Sequence, residues 1–450
     1  IQVLQCADID FRLPFMSDVA GLEYSFSLLF KMLGTSRDVL HTDLSFREYR
    51  DSLVTKRNTA RPGWFLWTWV ATEPSPELVT ARTALGWRPV VVEPEQIRLQ
   101  VYAALQAGYR GIGFMKSHSL NDDLPGNLEC KLILQQLNME LDLMEPWLAR
   151  GTLRSTEPVQ ISLRQHELRQ RNLFGGSRQA RQNKNDLLRA HTDQQRQQER
   201  LRRELEAAVI SNDEGDLLIL PAWLEEGASF VPGRLGGENA QITIPGVHTT
   251  AVAYEITTTG VRSLDGQCER TAGGLRITLD KFDQTAMILV TSNHRLKAEL
   301  DQKANLMAAE SARVALELAQ TKFERVRRTD AELVAMGYAQ TDGAATLQKS
   351  AARLRMAQEA MRRKDFNAVR VLSGEAMQAL RILQRAHWND AVRKLSSPVA
   401  SPHTLCFETL PDHWEMLARL GTSSTAPENM LRSGDFEDLD TMIAEGWDNK

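Results

Sequence analysis

Residues 64–72 read WFLWTWVAT, an unbroken apolar run that stops at Glu73 and Pro74. A run so short and so rich in aromatic and β-branched residues suits a strand covered on both faces, as in a parallel sheet. Pro74 has no N–H to give to a ladder, so the strand ends there and Glu73 falls at its carboxyl end. Similar runs stand on either side, at 13–17 (LPFMS), 31–35 (KMLGT) and 111–115 (GIGFM). Helical patterns separate them. Ile97, Val101 and Leu105 share one face behind Pro94, with Gly108 as a stop. Leu134, Leu137, Leu141, Met144 and Leu148 form a second seam that ends at Gly151. This alternation predicts βα units over residues 1–150. Four such units make half of a (β/α)8 barrel, so the other half is expected upstream.

The rest of the chain changes character twice. Over 151–295, the stretches 241–244, 250–256, 275–279 and 286–290 alternate apolar and polar residues between Pro-Gly and Gly-Gly turns, which predicts an antiparallel β-sandwich. Within it, 164–203 is dense in Arg and Gln and shows no strand pattern, so it reads as an insertion flanked by the strands VQISLR and LEAAVIS. From 296 to 395 the seams are helical. Leu300, Met307, Val314 and Leu318 come first, then Leu347, Leu354 and Met361, then Val369, Leu372, Ala376 and Leu383. Breaks at 337–343 and at Lys364 and Asp365 divide this stretch into a three-helix unit that could take a protein partner. Residues 396–450 read as a linker and the opening of a further domain. The expected fold is therefore multidomain: a partial (β/α)8 barrel, an antiparallel β-sandwich and an α-helical bundle segment.

At 450 residues there is room for about three domains. A net charge of −4 does not suggest a protein built around a polyanion, and Glu167, Asp186, Asp193 and Glu199 dilute the basic insertion, so no nucleic-acid partner is expected. Cys6, Cys130, Cys268 and Cys406 are far apart and signal neither a metal knuckle nor a disulfide framework. No run is long enough for a membrane span, and no phosphate loop, G-x-S-x-G or H-E-x-x-H motif occurs, so neither cofactor nor metal is expected.

Candidate site residues follow from their place at strand ends. Glu73 sits where parallel barrels keep reactive groups. Trp67 and Trp69, two apart, point to one side, where an indole can stack on the apolar face of a sugar or simply pack in a core. Asp18 and Arg37 fall just past strand ends and are either ligand contacts or loop charges. Glu93 and Glu95 open a helix, where an acidic residue also serves the dipole. His41 and His118 are loop candidates without a second ligand at metal spacing.

The series WFLWTWVATEP, EPEQIRLQVYAALQAGYRGIGFM and ELDLMEPWLARG resembles the last strands and closing helix of a clan A, beta-galactosidase-like glycoside hydrolase. DLLILPAW, ITIPGV and GGLRITLDKFDQTAMILVTS are similar to the β domain that follows such barrels, and NMLRSGDFEDLDTMIAEGW to the start of a carbohydrate-binding jelly roll. The resemblance implies a retaining enzyme acting on poly- or oligosaccharide. Its nucleophile would be Glu73, with Trp67, Trp69, Asp18, Arg37 and Glu93 around the sugar. It also implies a secreted or periplasmic protein. No stretch matches the fourth barrel strand, which carries the acid/base carboxyl in that clan, so this chain alone is not expected to turn over substrate. The alternative is a surface protein that holds glycans without catalysis.

Overall fold

The computed structural model describes residues 32–35, 39–60, 63–162, 205–224, 230 and 237–423. The strand expected at 13–17, Asp18, Arg37, the insertion at 164–203 and the jelly-roll opening lie outside these residues. Among the described residues are eight α-helices and twelve strands, in two sheets.

Of the four parallel strands expected, three are described: β1 (Met32–Thr35), β2 (Phe65–Ala71) and β3 (Gly111–Met115). They pair in parallel in the order β1-β2-β3. By themselves they make a three-stranded sheet and not a barrel. The connections are helical: α1 (Phe46–Arg57) joins β1 to β2, and α2 (Pro76–Ala84) and α3 (Pro94–Gln106) join β2 to β3. Ser45 caps α1 by accepting from the Glu48 N–H, and the Glu48 carboxylate accepts from the Ser45 N–H in return, closing a capping box. α4 (Asn127–Arg150) follows β3 and buries all five residues of its expected seam.

The expected pair of sheets is one curled sheet of nine strands. The reason lies in β4 (Thr152–Ser162). Its first part pairs with β5 (Leu205–Ser211) and its last part with β7 (Gly237–Ile244), with register shifts in both ladders. Such irregularities bend a strand and increase its twist, so one long strand hands the ladder from one half to the other. The remaining strands are β6 (Leu217–Trp223), β8 (Val252–Thr257), β9 (Gly260–Ser263), β10 (Cys268–Thr271), β11 (Gly274–Phe282) and β12 (Met287–Thr291), and the order across the sheet is β10-β11-β7-β4-β5-β6-β12-β8-β9. The two halves close over one core, in which Trp223 of β6 stacks on Phe282 of β11 at 6.4 Å. Every residue of β6 is buried, because its outer side packs under the helices.

The three-helix unit forms with breaks where expected: α5 (His294–Ala335), α6 (Gly343–Arg362) and α7 (Phe366–Val392), followed by α8 (Leu410–Ser423). α5 packs along α4. α3 sits at the centre of the molecule and is almost wholly enclosed, polar positions included. Gln100 exchanges hydrogen bonds with the Ala71 backbone on β2, and Gln106 donates to the Glu206 and Leu220 carbonyls of the nine-stranded sheet. No helix among the described residues is long and apolar enough to cross a membrane.

Candidate functional site

Parallel register places Ala71 beside Met115, so the residues just after β2 must meet those just after β3. Thr72 fixes that junction by donating from its hydroxyl to the Met115 carbonyl at 2.6 Å. Glu73 then turns its carboxylate onto the segment Lys116–Ser117–His118. One oxygen accepts from the Ser117 N–H. The other lies 3.2 Å from Lys116 Nζ and 3.2 Å from His118 Nδ1. Burial works against the charge of Glu73, but the hydrogen bonds from Ser117, His118 and Lys116 outweigh it and hold the carboxyl below its usual range. The group is therefore a mostly covered, ionised carboxylate at the carboxyl end of a parallel strand, with the half-exposed His118 imidazole beside it.

The face of β2 that leads to Glu73 is aromatic. Leu66, Thr68 and Val70 are buried toward the helices, whereas Phe65, Trp67 and Trp69 on the opposite face are only half-buried. Trp67 and Trp69 meet edge to face, with centroids 5.3 Å apart and planes at 74°. Their width is possible because the flanking strands carry glycine. A Cβ on Gly34 or Gly113 would come within 2.6 Å of the Trp67 ring or 2.7 Å of the Trp69 ring, and one on Gly111 within 2.5 Å of Trp67 Cβ. The Trp67 ring thus lies over Gly34 of β1 and the Trp69 ring over Gly113 of β3, so the two indoles extend the apolar face over both neighbouring strands.

Glu93 and Glu95 stand elsewhere, and the substrate contact expected of Glu93 is corrected by its surroundings. Glu93 is 1 % exposed and faces the helical unit. Lys322 Nζ lies 2.7 Å from Glu93 and 2.7 Å from Glu95. Arg325 grips Glu93 at 2.8 and 3.0 Å and Glu129 at 2.6 and 2.7 Å, and it also pairs with Glu408. Gln384 donates to Glu93 at 2.7 Å. Burial would raise the Glu93 pKa, but the charges of Arg325 and Lys322 override it and hold the carboxyl well below its usual range. These groups join α3 and α4 to α5, α7 and the turn before α8. They form a lock between parts of the fold, in which both Glu93 oxygens are taken up by Arg325, Lys322 and Gln384.

His41 is also withdrawn. Burial, with the Arg82 charge adding to it, lowers its pKa to about 4, so it is neutral at ordinary pH. A serine–histidine pair exists at Ser401 and His413, 2.9 Å apart, but both are buried and can meet no substrate. Among the described residues no group of three or more His, Cys, Asp or Glu side chains could hold a metal ion. Of the candidates, the structure brings His118 to Glu73 and Trp67 to Trp69, the two tryptophans standing earlier on the strand that Glu73 follows. Lys116 and Ser117 went unnoticed in the sequence, although their place just past β3 mirrors that of Glu73 just past β2.

No protein-family model matches the chain, and no curated protein matches it in sequence.

Proposed function

We propose that the chain carries the nucleophile half of a retaining glycoside hydrolase acting on poly- or oligosaccharide, with Glu73 as nucleophile and Trp67 and Trp69 as the sugar platform. In this reading β1, β2 and β3 are the last strands of a (β/α)8 barrel. The observation that carries it is the ionised Glu73 carboxylate, fixed just past the carboxyl end of β2, the strand whose half-buried face carries Trp67 and Trp69. A nucleophilic carboxylate must be unprotonated, and the Lys116, Ser117 and His118 contacts favour that state. The retaining reaction also needs a second carboxyl about 5 to 5.5 Å away to protonate the leaving oxygen. The family resemblance assigns that group to the fourth barrel strand, which none of the described strands represents. Location outside the cytoplasm or in the periplasm rests on the same family resemblance.

The nucleophile can be tested without the acid. An activated 2-fluoro glycoside with a dinitrophenolate leaving group departs without protonation, so attack by Glu73 would leave a stable glycosyl ester. Mass spectrometry of peptides from a panel of such sugars should find the adduct on Glu73 in the wild type and none in Glu73→Gln. A second reading, a non-catalytic glycan-binding surface, is favoured by the fact that both Glu73 oxygens are already engaged. Sugar binding lost on Trp67→Ala, with no adduct from any sugar, would select it.

A further inference from the structure

A cavity of about 980 Å³ lies where the nine-stranded sheet meets α3, α4 and the helical unit, and none of the residues that line it belongs to the Glu73 group. Its walls mix apolar and polar side chains, and most of the guanidinium charges in them are matched. Arg98 pairs with Glu140, Arg262 with Glu255, Arg353 with Glu375 and Arg381 with Asp283. Arg370 is the exception among the guanidinium groups of the wall. Among the described residues its contacts are the Thr259 hydroxyl at 3.3 Å and the Asn367 amide oxygen at 3.2 Å, with no carboxylate in ion-pair range. Burial disfavours its charge; Glu255 and Glu140 oppose that, Arg98 and Arg262 add to it, and the net shift of its pKa is downward.

Further polar atoms line the same space without hydrogen-bond partners: Gln284 Nε2, Ser373 Oγ, Arg381 Nε and Glu95 Oε1. Each belongs to a side chain more than nine-tenths buried. A buried polar atom left unpaired is costly, so the three donors among these four, Gln284 Nε2, Ser373 Oγ and Arg381 Nε, call for acceptors that the wall does not supply. An Arg without a buried counter-charge adds a demand for negative charge, and its planar fork matches the two oxygens of an oxyanion. The volume is that of a small-molecule site and far exceeds the roughly 30 Å³ of one water.

We propose that this cavity binds a small hydroxylated molecule bearing an oxyanion, a carboxylate or a phosphate, with Arg370 as the anion's partner and Ser373, Gln284 and Arg381 as donors to the rest. The ligand supplies the charge and the acceptors that the wall lacks, and it bridges the sheet to α7.

Titration calorimetry of the chain with D-glucuronate, inorganic phosphate and neutral glucose tests this. One of the two anions is expected to bind, with glucose weaker by roughly tenfold or more. The better anion identifies the source of the charge. Arg370→Gln should weaken that anion by roughly tenfold or more, and Arg370→Lys by less. Should Arg370→Gln fail to fold, Ser373→Ala gives the same reading by weakening binding about threefold or more. Absence of binding by both anions at millimolar concentration, or unchanged affinity in the folded Arg370 or Ser373 variants, overturns the proposal.

Discussion

Replacing Lys322 by Met removes the cation at the middle of the charge lock. Lys322 is fully buried, with its ammonium 2.7 Å from carboxylates of both Glu93 and Glu95. In Lys322→Met, Glu93 keeps Arg325 and Gln384, but the nearest cation to Glu95 is Arg381 at 3.8 Å. Breaking a buried pair from one side costs about 3 to 5 kcal/mol, because a carboxylate stays behind uncompensated. That is a large part of the roughly 5 to 15 kcal/mol that holds an ordinary domain. The companion variant Lys322→Met/Glu95→Met removes that orphan as well and should recover most of the loss. Urea unfolding followed by tryptophan fluorescence and far-ultraviolet circular dichroism measures both. The acid side adds a check on sign. The folded pKa of Glu93 is depressed, so its contribution is fully present above the unfolded value near pH ~4.3 and is lost as pH falls toward the folded value. With one of its two cations gone, Glu93 is depressed less, so that part of the stability shrinks. A single variant that loses less than about 1 kcal/mol, or a double variant no better than the single, would refute the reasoning.

Three other outcomes are expected. Labelling of Glu73 by the activated sugar should persist as pH is lowered through the usual carboxylate range, since its depressed pKa keeps it ionised there; a midpoint above about 4.5 would contradict this. Trp69→Ala should weaken sugar binding by roughly 2- to 12-fold, the value of one stacking contact, as read by fluorescence titration; unchanged affinity would place the sugar elsewhere. Gly111→Ala should destabilise the parallel sheet by about 1 to 3 kcal/mol, because the added Cβ meets Trp67 Cβ at 2.5 Å; chemical denaturation showing no loss would mean that the strands shift apart freely.

The parallel strands were legible because apolar runs ended by Pro and Gly leave few alternatives; β2 and β3 fall within about a residue of their expected ends. The helix seams were legible for the same kind of reason. The charge lock was not. Glu95 and Lys322 are far apart in sequence, and an acidic residue at a helix start has a sufficient local explanation in the dipole. One signal was present: Lys322 follows Leu318 by one turn and Arg325 follows in turn, so both continue the apolar seam of α5 in phase. The loop partners of Glu73 were hidden because strand order and register had to be known before Lys116, Ser117 and His118 could be brought to it. The curling of the nine-stranded sheet depends on β4 pairing along both edges, which strand periodicity does not report.

α3 has a consequence for inheritance. The changes of sequence character near residues 150 and 295 look like joints at which parts are exchangeable between proteins. Yet this one helix addresses the parallel sheet through Gln100, the nine-stranded sheet through Gln106 and the helical unit through Glu95. Importing a foreign partner for any of the three strands a buried amide or carboxylate, at about 1 to 3 kcal/mol or more each, and two such losses rival the margin by which a domain stays folded. The parts are therefore expected to descend together, with substitutions at Glu95, Gln100 and Gln106 matched by changes in residues distant in sequence.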